Sequence, residues 1–233
     1  MTGYSRISVP PTEYRDEAGV VIPYGSRWTA GTPPEDSYSR VSNPQRFEPL
    51  QGVARQLIAY LGGEFEVEVA TDPLFASEFS HPSGVGEVVR LAPAVPLTAP
   101  LTFGFTSLPG VFVAAGAFHQ FAFPACGCDA CDEGVAEQLE QLEEAVFGVV
   151  DGGLREWAAG DEVGFSLGLS SGSHSGVGSM RDIEPDRLAA RLSALPPTGG
   201  YPGRNGAESQ ASSSAKQRSS RAFHHCLRSA SAA

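Results

Sequence analysis

The sequence predicts an α+β fold: an antiparallel sheet of about five strands with a long helix and two shorter helices packed on it. Three observations carry that expectation. Apolar residues recur at helical spacing in three segments and alternate at strand spacing in several others. The strand-like segments follow one another through short, turn-rich connections, which favour antiparallel pairing over the long crossovers of a parallel sheet. The 27 Gly and 18 Pro residues argue against a helical bundle or coiled coil. With 233 residues, 41% of them hydrophobic, the chain has room for one sizeable core.

Residues 1–46 sustain no period and carry isolated aromatics at Tyr14, Tyr24, Trp28 and Tyr38. They read as an irregular N-terminal arm that wraps the body. The α+β domain is expected over 47–197. It opens with a helix on which Leu50, Val53, Ala54, Leu57, Ile58 and Leu61 form one stripe, with Pro49 in its first turn and Gly62-Gly63 as its stop. A strand follows, burying Phe65, Val67 and Val69 and exposing Glu64, Glu66 and Glu68. A second strand is expected at Glu87–Leu91. Leu101, Phe103 and Phe105 then lead into a type II turn centred on Pro109-Gly110. The return strand, Val111–Phe118, is apolar at both parities and should lie centrally.

The longest helix is read from Val135 through Leu139, Leu142, Val146, Val149 and Leu154 to Trp157. Its stripe stays in phase past Gly152-Gly153, which predicts a continued or kinked helix there. Val163, Phe165, Leu167 and Leu169 mark a fifth strand. A last helix opens at Pro185 and should bury Leu188, Leu192 and Leu195. From residue 198 the composition turns to Ser, Ala, Gly and bases, so 198–233 reads as a disordered, basic tail. Its change of composition also fits a cloning or reading-frame origin.

Charge narrows the partners. The net charge of −11 is uneven: apart from Glu208 the acids all precede residue 203, while Arg204, Lys216, Arg218, Arg221 and Arg228 fall after it. So acidic a body repels nucleic acid and anionic lipid, leaving a basic protein surface as the permitted partner. A monomer is expected. The N-terminus lacks an apolar secretory core, and the uncharged stretch Leu91–Cys128 is broken by five prolines, too short in any apolar run to span a bilayer. These features predict a cytoplasmic protein with reduced thiols.

The candidate chemistry lies in Cys126-Gly-Cys128-Asp-Ala-Cys131. Zinc takes four N/S ligands in a tetrahedron. Cys128-x-x-Cys131 has knuckle spacing, Cys126 adds a third thiolate, and His119 is the candidate fourth ligand; Asp129, Asp132 and His81 are substitutes. A redox reading places Cys128-x-x-Cys131 at a helix N-terminus, where the dipole lowers a thiol pKa, although Asp129, Asp132 and Glu133 offset it. The plainest alternative is packing in a tight turn, with Asp129 as N-cap and Asp132 at N3. Gly168-Leu-Ser170-Ser-Gly172 matches the hydrolase elbow pattern, but no helix is expected after it, so the match reads as chance. The glutamates of the long helix read as a solvated face, and His224, His225 and Cys226 in the tail are assigned no role.

Tyr24-Gly25, Arg27-Trp28, Pro33-Pro34-Glu35-Asp36, Tyr38-Ser39, Pro44, Arg46-Phe47 and Pro49-Leu50, together with FAFPACGCDACDE from Phe121 to Glu133, give the chain a family likeness. From about Tyr14 to about Pro197 it resembles an uncharacterised actinobacterial family of small proteins, a domain of unknown function. The resemblance implies a bacterial cytosolic origin and carries over no catalytic residue. Relatives tend to end soon after the last helix, so the tail from residue 203 departs from the pattern. Two functions follow. The leading one is a non-enzymatic accessory or protein-interaction module with a structural cysteine cluster that is a candidate zinc site. The alternative is a thiol-based redox protein or thiol enzyme using Cys126, Cys128 and Cys131.

Overall fold

A computed structural model describes residues 3–201. The fold is α+β, with two antiparallel sheets in place of one. The main sheet is a five-stranded meander, ordered β1-β2-β3-β4-β5: β1 Val67–Thr71, β2 Val85–Pro93, β3 Leu101–Thr106, β4 Gly110–Ala115 and β5 His119–Phe123. The second sheet is β6 Leu154–Ala159, β7 Glu162–Leu169 and β8 Gly172–Ser179. Helices α1 Glu48–Glu64 and α2 Val135–Val150 bury their stripes against one face of the main sheet, with Leu50, Leu57, Leu142 and Phe103 at the centre. Helix α3 Pro185–Ala194 belongs to the opposite face, which carries a smaller cluster of Phe79, Val88 and Ala114.

Several elements depart from the expectation. Gly62-Gly63 do not stop α1, which runs on to Glu64. Val69 is 46% exposed, because β1 is an edge strand and α1 covers that position only through Gly62, which has no side chain to shield it. Thr106 pairs with Gly110, leaving Ser107–Pro109 as a three-residue connection, so Pro109-Gly110 are not the centre of a type II turn. The expected strand Val111–Phe118 breaks at Gly116–Phe118, and β5 pairs back onto β4.

The long helix ends seven residues before Trp157. Gly152 adopts φ 82°, its N–H bonds to the Val149 carbonyl, and the Gly153 N–H bonds to the Gly148 carbonyl. That pair of bonds is a Schellman stop. Leu154 and Trp157 therefore lie on β6. The glycine-serine segment after β7, for which no strand was expected, is strand β8, paired in full register with β7. In α3 no side chain is fully buried: Leu192 is exposed and Leu188 half-buried, while Arg187 and Arg191 reach inward to the Phe79 and Glu78 carbonyls at 2.8 and 2.7 Å.

Residues 3–46 form no α-helix or ladder strand, only 3-10 turns at Glu35–Ser39 and at Pro44–Phe47, which leads into α1, and an isolated bridge. Tyr4 and Arg6 bond Glu143 of α2, and Tyr24, Arg27 and Trp28 reach the loop before α2. Thr198–Tyr201, assigned by composition to a structureless tail, instead continue the fold. Gly199 and Tyr201 bond the backbone of Glu156 and Leu154, and the Tyr201 ring is buried. Residues 202–233, with His224, His225 and Cys226, lie outside the described residues. No helix among the described residues is long and apolar enough to cross a membrane.

Candidate metal centre

Residues 124–134 connect β5 to α2, and their backbone curls the three cysteines together. Gly127 and Asp132 take left-handed conformations, with φ of 86° and 52°. A Cβ on Gly127 would lie 3.2 Å from the Leu108 side chain, so glycine serves both the turn and the close approach. The Sγ atoms of Cys126, Cys128 and Cys131 all lie within 4.8 Å of one another, and none is in a disulfide. Cys128 is buried, Cys126 intermediate and Cys131 exposed, so the trio opens toward solvent on one side.

The loop is held by the N-terminal arm. The Arg27 backbone N–H and Nε donate to the two Asp132 carboxylate oxygens at 2.7 and 2.6 Å. The Asp129 carbonyl accepts from Arg27 and from the Trp28 indole, at 2.7 and 3.0 Å. The Asp129 carboxylate takes the Ser42 N–H, the Ser42 hydroxyl and Arg40 Nε. Beneath the loop, buried Arg46 donates to the Gly127 carbonyl at 3.1 Å, with its guanidinium 4.1 Å from the centres of both the Tyr24 and Phe47 rings. From the other side, the Glu133 carboxyl group accepts the N–H groups of Cys126 and Gly127 at 3.2 and 3.3 Å.

These surroundings tune the site. Burial works to raise the Cys128 thiol pKa, but the N–H groups of Cys131 and Ala130 and the thiols of Cys126 and Cys131 outweigh it, so the pKa falls below the usual thiol value. Burial likewise opposes ionisation of Asp129, yet hydrogen bonds from Ser42 and the charge of Arg27 hold its pKa below normal. At Glu133 burial prevails and raises the carboxyl pKa despite the backbone donors around it.

The sequence candidates divide sharply. Cys126, Cys128 and Cys131 converge. His119 does not join them: its ring stacks on Phe165 of β7, with centroids 3.6 Å apart. Asp129 and Asp132 are committed to the arm, and His81 is an exposed residue ahead of a 3-10 turn at Pro82–Gly84. The N-cap of α2 is Gly134, so Asp129 does not cap the helix and the Cys128-x-x-Cys131 pair does not sit on its N-terminus. The helix-dipole argument for a reactive thiol therefore does not apply. Ser170, in the turn between β7 and β8, is no nucleophile elbow; its hydroxyl donates to Glu144.

Arg27, Arg46, Ser42 and Glu133 shape the site, and residue spacing did not single them out. Arg27, Arg46 and Glu133 do fall in the motifs that carry the family likeness, but those motifs assign them no role, and the arm has no period to read.

A protein-family model for a family of unknown function, DUF6226, matches residues 10–222. The chain belongs to this family. The matched span takes in the arm, both sheets and the cysteine loop, and it reaches past the last helix to include residues 203–222, whose origin the composition had put in question. No curated protein and no solved structure matches the chain.

Proposed function

We propose that this family member is a non-enzymatic cytoplasmic accessory protein that binds zinc through Cys126, Cys128 and Cys131. The carrying observation is the convergence of the three Sγ atoms within 4.8 Å. Zn–S bonds of about 2.3 Å place tetrahedral sulfurs roughly 3.8 Å apart, within reach of small side-chain rotations. A lowered Cys128 pKa favours the thiolate that the metal needs. Exposed Cys131 leaves the fourth position for water or for a donor from a protein partner. Bound metal would lock the loop that receives Arg27, Trp28 and Arg40, and so fasten the arm to the body.

The test is metal analysis of untagged protein with Cys→Ser variants. About one zinc per chain is expected, lost in Cys128→Ser and Cys131→Ser and retained in His119→Ala. Chelation should lower the melting temperature, because site formation is coupled to folding. Metal-free protein whose melting is indifferent to added zinc and to chelator would sink the reading. The close thiols with a depressed pKa at Cys128 also support a second reading, a thiol redox switch. It predicts instead metal-free protein that forms a Cys128–Cys131 disulfide under mild oxidant and loses it to a dithiol reductant.

A further inference from the structure

On the face of the main sheet away from α1 and α2, a cavity of about 210 Å³ opens between the sheet and α3. A single water needs only about 10–15 Å³ by that measure, so the space holds several waters or one small organic molecule. Its construction is unlike core packing. The helix side turned to it presents Ala190, Arg191 and Ala194, and the sheet answers with Ala114 and Arg90. Small side chains on both walls keep the volume open, and its rim is the β4–β5 turn at Gly116–Phe118.

The charges around the cavity are unequally matched. Arg90 pairs with Glu78 at 2.8 Å, and Glu78 also accepts the Thr102 hydroxyl. Glu156, beneath the β4–β5 turn, is occupied by the N–H groups of Ala117, Phe118 and His119 and by the Tyr201 hydroxyl. Among the described residues Arg187 and Arg191 each make one hydrogen bond, to a neutral carbonyl. Among the described residues neither has a carboxylate within ion-pair distance. A guanidinium offers five N–H donors in a planar fork, so most of Arg191's donors remain unassigned at the cavity wall. Burial, with help from nearby Arg187, lowers the pKa of Arg191 against the opposing charges of Glu156 and Glu78. Of the charged residues that line the cavity, Arg90 and Arg191 against Glu78 leave about one positive charge, which suits a monoanion better than a phosphate dianion.

We infer that this cavity is a binding site for a small monocarboxylate, whose carboxylate is taken by the Arg191 guanidinium and whose body fills the alanine-walled space against Ala114. A fork of parallel N–H donors matches the two oxygens of a carboxylate. Glu78 holds Arg90 in place and excludes more highly charged anions.

The experiment is an amide-resolved NMR titration of the full chain with acetate, L-lactate, pyruvate and benzoate, with lactamide as the neutral isostere and sulfate as the competing anion. At least one carboxylate should give saturable shifts at Arg191, Ala117 and Phe118, lactamide none, and sulfate weaker ones. Arg191→Gln should weaken binding by at least ~10-fold, since it removes a charge-assisted pair. Ala190→Leu, at a position where the added bulk enters the cavity, should abolish binding with Arg191 retained. An unchanged amide spectrum outside the substituted helix would establish that either variant is folded. The inference is overturned if none of the four carboxylates perturbs the cavity amides, if Arg191→Gln binds like the parent, or if lactamide or sulfate binds as tightly as the best carboxylate.

Discussion

Glu156 makes the link between the two sheets. It is fully buried on β6, yet its carboxyl group accepts three consecutive backbone N–H groups of the β4–β5 turn at 2.7, 2.7 and 2.8 Å, and the Tyr201 hydroxyl at 2.6 Å. Burial, and then the charge of Glu156, raise the Tyr201 pKa well above the phenol range, so its hydroxyl stays a donor. Glu156→Gln replaces one acceptor oxygen by an NH2 facing N–H donors. It should cost about 3 kcal/mol in urea unfolding, and a near-neutral result would mean the turn is held by something else. His119, 8% exposed, gives a pH signature. Burial, with His174 nearby, lowers its pKa to about 3. The unfolded chain, with an ordinary histidine near 6.5, then binds the extra proton, so this contribution is fully present above pH 6.5. It falls by about 1.4 kcal/mol per pH unit on acidification toward pH 3. In His119→Phe that part of the acid sensitivity should vanish from the stability–pH curve; an unaltered slope would contradict the assignment. On α2, Leu142 has no exposed surface and Glu140 faces water, so Leu142→Ala should cost ~2–5 kcal/mol and Glu140→Ala little. Equal effects would refute the phase of the helix.

At the scale of elements, the decisive event is the end of α2. The apolar stripe runs in phase to Trp157, but Val150 is the last helical residue. Beyond it Gly152 turns left-handed, and Gly153 passes so close to β7 that an added Cβ would stand 2.6 Å from the Gly168 carbonyl. The same three-residue stop then launches β6 antiparallel to β7, with Leu154 opposite Leu167. The two glycines should differ under substitution. Gly152→Ala carries the penalty of a left-handed backbone, about 1–2 kcal/mol, whereas Gly153→Ala must displace a backbone carbonyl and should lower the melting temperature more. A larger loss for Gly152→Ala would show that the turn, rather than the close approach to β7, is limiting.

Across the whole molecule, the arm and the segment Thr198–Tyr201 are clasped onto the body. The arm ties down the cysteine loop through Arg27, Arg40 and Ser42, and Thr198–Tyr201 runs beside β6 on the far side of the second sheet from β8. Truncation after Pro197 removes the buried Tyr201 ring and its bond to Glu156. It should reduce stability by several degrees in melting temperature. Truncation after Gly203 keeps Tyr201 and should leave the melting temperature unchanged, because the only large apolar side chains beyond it are Phe223 and Leu227. Equal melting for the two truncations would remove Tyr201 from the account of the core.

The sequence by itself determined the α+β class, the stripe of α1, the first four turns of α2 and the strands around Val88, Phe103 and Phe165, because each carries its own hydrophobic period. It also determined that three cysteines would lie within six residues of one another. Tertiary structure alone decided which residues complete their surroundings. Nothing local in Arg27 or Arg46 says that they will grip a loop a hundred or eighty residues later in the chain, and nothing in His119 says that Phe165 will claim its ring. Strand β8 was illegible for a related reason: its glycines and serines carry no alternating pattern, and it exists because β7 offers an unpaired edge whose backbone donors and acceptors must be satisfied. Glu156 and Tyr201 belong to the same class, since a buried carboxyl group is tolerable only where distant backbone N–H groups converge on it.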